Sequence, residues 1–215
     1  QSFKVKIGFG AKEDIAVIGA ARESFHSGER LMLDANQAWD VDGALEVLAG
    51  IEGLAIDWME EPLAANAPRS EWLAIGNATN IPIAGGENVR GADEFGEIID
   101  DAVFDIVQPD ACKWGGVTGC LSVAKRTLDA GLRYCPHYLG GGIGLIASAH
   151  ILAAAGGDGL LEIDVNPNPL REALAQPYPE VSAGRFPMPT GPGLGVEPDL
   201  DAAKPWLTQR IDLTG

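Results

Sequence analysis

The sequence predicts a parallel α/β fold, a (β/α) barrel in preference to a doubly wound sheet, and three observations carry that prediction. Short β-rich segments alternate with amphipathic stretches of helical spacing along the chain. Strict alternation of this kind calls for parallel strands joined by right-handed crossovers. Each β-rich segment also runs out onto a polar or ionisable residue, as barrel strands do where they open into a common mouth.

Taken in order, FKVKIGF opens the chain as a strand in which Lys4 and Lys6 alternate, so that both point to one face. KEDIAVIGAARESF follows with helical spacing. RLMLDAN is the second strand and ends at Asp34; VDGALEVLAGI is the helix after it. AIDWMEE ends at Glu60 and IPIAGGEN at Glu87, with ADEFGEIIDD as the next helix. FDIVQPD reaches Asp110, GCLSVAKRTLDAG returns as a helix, and LRYCPH ends at His137. LIASAHILAAAGG and then GLLEIDV, with Glu162 at its end, complete the series. Glycines or turn clusters close most of the helices, and seven strands are expected.

Lys6, Asp34, Glu60, Glu87, Asp110, His137 and Glu162 follow one another at intervals of 23 to 28 positions, one for each strand-helix unit. Residues that repeat with the period of a barrel converge at its mouth although they lie far apart in sequence. Five carboxylates brought together repel one another, which raises their pKa values or recruits a cation. Asp34, Glu60 and Glu87 lie on three successive strands without thiol or imidazole among them, a hard oxygen set that suits Mg²⁺ better than Zn²⁺. Any one of them alone could equally cap a helix or pair with a lysine.

Lys4 and Lys6 on one face lower each other's pKa, and Lys6, nearest the strand end, is the candidate general base. His137 and Asp110 end neighbouring strands and form a candidate dyad in which the carboxylate orients the imidazole. His26, near a helix end, and His150, inside an apolar helix, are read as structural.

Composition narrows the function. With 46% hydrophobic residues among 215, the chain can build one sizeable core. A net charge of −16 disfavours nucleic acid and anionic membrane as partners, because phosphate binding needs a basic surface. No uninterrupted apolar stretch is long enough to cross a bilayer, and the opening segment is strand-like rather than a signal peptide, so a cytoplasmic protein is expected. Three cysteines without a CxxC pair fit a reducing compartment and argue against a sulfur metal site.

In order and spacing, KVK, LDANQ, MEEP, GGEN, QPDACKWGG, PHY and LLE resemble the C-terminal barrel of the mandelate racemase and muconate lactonizing branch of the enolase superfamily. That resemblance implies a TIM-like (β/α)7β barrel, here truncated at its N-terminus. It implies a Mg²⁺ cofactor held by Asp34, Glu60 and Glu87, with Lys6 as base, Lys4 as its electrostatic partner and Asn36 assisting at metal or substrate. His137, held by Asp110, becomes the acid or base on the opposite face, and Glu162 hydrogen-bonds the developing enolate; Lys113 and Glu61 are supporting residues. Aspartate at position 110, where muconate lactonizing enzymes carry lysine, points to the mandelate racemase subgroup.

The implied reaction is abstraction of the proton α to the carboxylate of a small substrate, a sugar acid or 2-hydroxy acid. Dehydration of a sugar acid is favoured on family frequency; racemisation or epimerisation is the alternative. A lysine Schiff-base aldolase on the same barrel, or a non-catalytic barrel fragment, would be rival readings. Residues 1–186 are expected to form the barrel without its first strand and helix. Residues 187–215 are expected to form a tail that would return to a capping domain missing from this chain. The full-length form is expected to be a homo-oligomer. The GGGIG run after His137 lacks a phosphate-loop context and is read as a tight strand-to-helix turn.

Overall fold

The computed structural model describes residues 1–211, and the four residues of the expected tail beyond them, 212–215, lie outside the described residues. Six strands form one parallel sheet in sequence order: β1 (Ser2–Lys6), β2 (Arg30–Asp34), β3 (Ile56–Glu60), β4 (Ile83–Gly85), β5 (Ile106–Val107) and β6 (Arg133–Tyr134). The helices between them are α1 (Ala11–Ser24), α2 (Val41–Gly50), α3 (Arg69–Ala78), α4 (Ala92–Asp100) and α5 (Gly116–Asp129), with α6 (Gly142–Ala155) after β6. Helix α3, read from RSEWLAIGNA, joins those anticipated. Short helices α7 (Pro169–Ala173) and α8 (Leu200–Ala203) follow, with a 3₁₀ turn at Lys204–Trp206.

The alternation of side chains along the strands sorts the sheet into two faces. Leu31, Leu33, Met59, Ile83 and Val107 point outward and are buried under Ile18 of α1, Val47 of α2, Ile75 of α3 and Phe95 of α4 in one large core. Tyr134 of β6 joins Cys120 and Ala124 of α5 and Ile151 of α6 in a second core. The inward residues form layers. Arg30, Asp57 and Arg133 join across the N-terminal end, with Arg30 Nε 3.0 Å and Arg133 Nη1 3.2 Å from Asp57 carboxylate oxygens. Met32, Trp58, Ala84, Ile106 and Cys135 make a buried apolar layer above them. The charged residues at the strand ends lie above that layer.

The sheet curls toward closure. Gln108, beyond β5, reaches Glu60 of β3, and Glu162, far along the chain, reaches Lys4 of β1 at 2.6 Å. A flat sheet would hold these pairs several strand widths apart.

The seventh expected strand is not formed. Residues 159–165 run beside β6 without joining the sheet, and Leu160 donates its N–H to the Sγ of Cys135 at 3.3 Å instead of to a backbone carbonyl. Pro136 explains much of this, since it follows a two-residue β6 and has no N–H with which to extend a ladder. Glu162 is nevertheless delivered to the mouth.

Part of the tail expected from residue 187 packs on the barrel. Leu194 and Val196 close over Ile146 of α6 and Ala175, beside Tyr178 and Phe186. Gln176 and Glu197 exchange backbone hydrogen bonds at 2.8 Å. No helix among the described residues is long and apolar enough to cross a membrane.

Candidate active site

The site is built from register. Lys6, Asp34 and Glu60 end β1, β2 and β3, and the pairing places Lys6 beside Asp34 and Asp34 beside Glu60. Glu87, Asp110 and His137 lie two to three residues beyond the ends of β4, β5 and β6, in the loops over the mouth.

Lys4 is the hub of one half. Its Nζ lies 2.5 Å from Glu60 Oε1, 2.6 Å from Glu162 Oε1 and 3.4 Å from Asp34 Oδ2. Lys6 Nζ makes a short ion pair with Asp34 Oδ2, with its side chain half exposed at the mouth. Asn36 donates its backbone N–H and its amide to Asp34 Oδ1 at 2.9 and 3.1 Å. This local ring comes at a conformational cost, since Asn36 and Gln37, and Glu61 next to Glu60, all have φ in the left-handed region. Strained backbone beside each of two candidate ligands is the pattern found where function dictates conformation.

His137 is the hub of the other half. Its Nδ1 lies 2.8 Å from Asp110 Oδ2 and its Nε2 lies 2.9 Å from Glu87 Oε2. The backbone N–H groups of Cys112 and Lys113 fix Asp110 Oδ1. Lys113 Nζ takes Glu87 Oε1 at 2.7 Å. Asn88 donates to Glu61 Oε1 at 2.9 Å and to Glu87 Oε1 at 3.2 Å, which draws Glu61 into the same network. Glu162 joins the halves: one oxygen is on Lys4, and the other accepts from the N–H of Tyr138 at 3.2 Å and faces His137 Nε2 at 3.9 Å. All eleven residues selected from the sequence thus meet in one network.

Its electrostatics follow from burial against pairing. Burial disfavours charge on Lys4, but Glu60, Glu162 and Asp34 outweigh it and raise its pKa, so Lys4 is held protonated. The expected lowering by a second lysine does not hold for Lys4, because three carboxylates surround its ammonium. Burial drives Glu60 the other way, up to about 7, with Asp34 and Glu162 adding to the effect against Lys4. For His137, burial is overcome by hydrogen bonds to Asp110 and Glu87 and its pKa rises to about 9; Glu87 falls to about 2 in spite of its own burial, through His137 and Lys113.

The three candidate metal ligands reach one mouth, yet among the described residues no three His, Cys, Asp or Glu side chains stand ready as a metal-binding group. Lysine and histidine nitrogens hold oxygens of all three. The donor set still fits a divalent cation. Six carboxylates (Asp34, Glu60, Glu61, Glu87, Asp110 and Glu162) face Lys4, Lys6, Lys113 and one imidazolium, an excess of two negative charges in a largely buried place. Glu60, pushed up to about 7, and Glu61 are both raised, by burial first and by neighbouring carboxylates after it. Oxygen donors without thiol select Mg²⁺ over softer ions.

Three participants were not singled out from the sequence: Trp58 and Gln108, which donate to Glu60 Oε2 at 3.1 and 2.8 Å, and Asn88. Period two could have found the first two, since each lies two residues before a selected carboxylate and so on the same inward face. The GGGIG run is accounted for by packing. A Cβ on Gly140 or Gly144 would come within 2.6 Å of the Tyr138 side chain, and one on Gly142 within 2.1 Å of the Arg171 carbonyl. His26 and His150 lie outside the network; His150 Nε2 lies 3.0 Å from the Leu194 carbonyl, within the fold.

Residues 1–203 match the enolase C-terminal domain-like family. D-galactarolactone cycloisomerase of Agrobacterium fabrum is 34% identical over 207 residues, which cover 93% of this chain and 54% of that enzyme. A mandelate racemase/muconate lactonizing enzyme structure from Bordetella bronchiseptica RB50 superposes with a TM-score of 0.89 at 44% identity, covering 95% of this chain and 57% of that one. L-talarate dehydratase from Polaromonas sp. JS666, in complex with Mg and L-glucarate, superposes with a TM-score of 0.84 at 31% identity over 97% of this chain and 56% of that one. The chain therefore spans about half the length of the curated relatives it matches.

Proposed function

Because the chain belongs to the enolase C-terminal domain-like family, we propose that it carries out Mg²⁺-dependent abstraction of the proton α to a substrate carboxylate, and that the reaction is dehydration of a sugar acid. One observation carries this reading. A lysine pair and an aspartate-held imidazole stand at opposite ends of a single carboxylate network whose charge is left in excess.

Magnesium held by Asp34, Glu60 and Glu87 would supply Lewis-acid stabilisation of the negative charge that develops on the substrate carboxylate. Lys6, with its side chain half exposed, acts as general base for the α-proton in its neutral form, having given its own proton to solvent. Lys4, held protonated, offsets the charge appearing beside it. Asp110 fixes His137 through Nδ1 and leaves Nε2 facing the network, where its proton can pass to a departing 3-hydroxyl, which leaves as water. Glu162, between the two halves, would hydrogen-bond the substrate where charge accumulates. A lactone as substrate for the same proton abstraction is a second reading, favoured by the likeness to D-galactarolactone cycloisomerase.

The test is exchange of the α-proton in D₂O. The natural full-length protein is incubated with a panel of sugar acids and lactones, with and without Mg²⁺, and followed by proton NMR. Magnesium-dependent loss of an α-proton signal with a 2-keto-3-deoxy product is the expected result. An inverted epimer as sole product would replace dehydration by epimerisation, and no exchange with any member of the panel by protein that binds Mg²⁺ would overturn the proposal.

A further inference from the structure

Glu60 is 1% exposed, and its two carboxylate oxygens have different surroundings. Oε2 accepts from the indole Nε1 of Trp58 at 3.1 Å and from the amide Nε2 of Gln108 at 2.8 Å, while Oε1 turns to Lys4. Two buried donors on one oxygen leave the carboxylate little freedom to rotate, and they hold Oε1 toward the charged network.

The donors are themselves fixed. Trp58 is 3% exposed, and the guanidinium of Arg133 stacks on it, 5.6 Å from the ring centroid. Gln108 is placed by close approach of two strands: its N–H donates to the Gly85 carbonyl at 2.8 Å, and a Cβ on Gly86 would come within 2.9 Å of the Gln108 nitrogen. Gly86, with φ of 131°, accepts a conformation that other residues rarely adopt.

The other end of the Gln108 amide is informative. Among the described residues its Oε1 is buried without a hydrogen-bond partner, in a residue only 3% exposed. An orphaned buried oxygen carries a desolvation penalty that an apolar residue at the same position would avoid. Flipping the amide would not relieve it, since that would set Oε1 against the Glu60 carboxylate. The amide is retained for what its nitrogen does.

We infer that Trp58 and Gln108 are positioning residues for Glu60: they occupy Oε2 and hold Oε1 toward the charged network, where it would serve the divalent cation. This rests on the metal-dependent reading above. Residues that orient a metal ligand in this way typically contribute about 10–100-fold to metal affinity.

The experiment compares the natural full-length protein with its Gln108→Leu and Trp58→Phe variants, each of which removes one donor and keeps most of the volume. Mg²⁺ affinity is read by titration calorimetry, the Tm of the metal-free proteins by calorimetric scanning, and α-proton exchange at rising Mg²⁺. Each variant is expected to bind Mg²⁺ about 10–100-fold more weakly. Gln108→Leu should keep its metal-free Tm, because the lost Nε2 hydrogen bond is offset by removal of the orphaned oxygen. Its exchange rate should recover at saturating Mg²⁺. Unchanged affinity in both variants while the parent binds Mg²⁺ would sink the positioning role alone. A metal-free Tm of Gln108→Leu that falls together with its affinity would reduce Gln108 to a structural role. A parent that binds no Mg²⁺ would remove the proposed function as well.

Discussion

The inner face of the sheet carries ion pairs at both ends, and the two ends are built from different cations. At the N-terminal end of the strands, Arg30 and Arg133 meet Asp57, and Arg133 also meets Asp158 at 3.4 Å, so two guanidinium groups face two carboxylates. Guanidinium stays protonated at any working pH, and its fork matches carboxylate geometry. At the C-terminal end the cations are three lysines and one histidine, set among six carboxylates. Lysine and histidine can both give up a proton. A balanced network of permanent charges can only hold strands together, whereas an unbalanced one of titratable charges can move protons and take up a cation. In barrels the N-terminal face serves stability and the C-terminal face chemistry, and here the choice of cation follows that division.

The largest expected effect breaks the mouth and leaves the base of the barrel intact. Lys6→Ala should slow α-proton exchange by about 10²–10⁴-fold, the usual share of a general base, with Mg²⁺ affinity retained in calorimetry. Undiminished exchange would remove Lys6 from the mechanism. Asp110→Asn leaves the imidazole in place but weakens its hold and its charge; formation of the dehydrated product should drop by about 10²-fold or more, with α-proton exchange at Lys6 retained. Equal loss of exchange and product would show that the two ends do not act separately.

The next effect sharpens the contrast through pH. In the metal-free protein His137 has a pKa raised to about 9, above the value near 6.5 of an unfolded chain. A raised pKa stabilises the fold fully below the unfolded value and loses that stabilisation as pH climbs through the folded one. Metal-free stability to unfolding should therefore fall between pH 6.5 and about 9, by an amount on the order of 3 kcal/mol, and His137→Gln should flatten that portion of the profile. An unaltered slope in the variant would assign the change to other groups. The smallest effect belongs to the base: Asp57→Asn should lower stability to urea by about 1–2 kcal/mol, since the pair is partly exposed, and leave exchange per folded molecule as it was. Loss of turnover in folded Asp57→Asn would mean that the two ends are coupled.

Much of this was legible in the sequence, for a physical reason. Strand-end residues recur with the unit that folds, so Lys6, Asp34, Glu60, Glu87, Asp110, His137 and Glu162 could be picked out before their meeting was seen. The alternation that pairs Lys4 with Lys6 is equally local. Residues whose part lies in a contact across the barrel were harder. Gln108 donates to a carboxylate 48 positions away, and Asn88 ties Glu61 to Glu87, although neither type is conspicuous in a chain rich in acids. The expected seventh strand failed because β-rich composition in GLLEIDV says nothing of whether a neighbour can offer N–H groups, and Pro136 withholds one.

By itself the sequence determined the order of strands and helices, the inward face of each strand and the ionisable residue at each strand end, because period and composition are properties of neighbours in the chain. Only the tertiary structure decided which charges share a partner: Lys4 with three carboxylates, His137 between Asp110 and Glu87, and Glu162 between the two. Those distances set whether a lysine is held protonated or a glutamate driven toward neutrality. They depend on how a sheet curls and on which side chains burial forces together, and no local pattern encodes either.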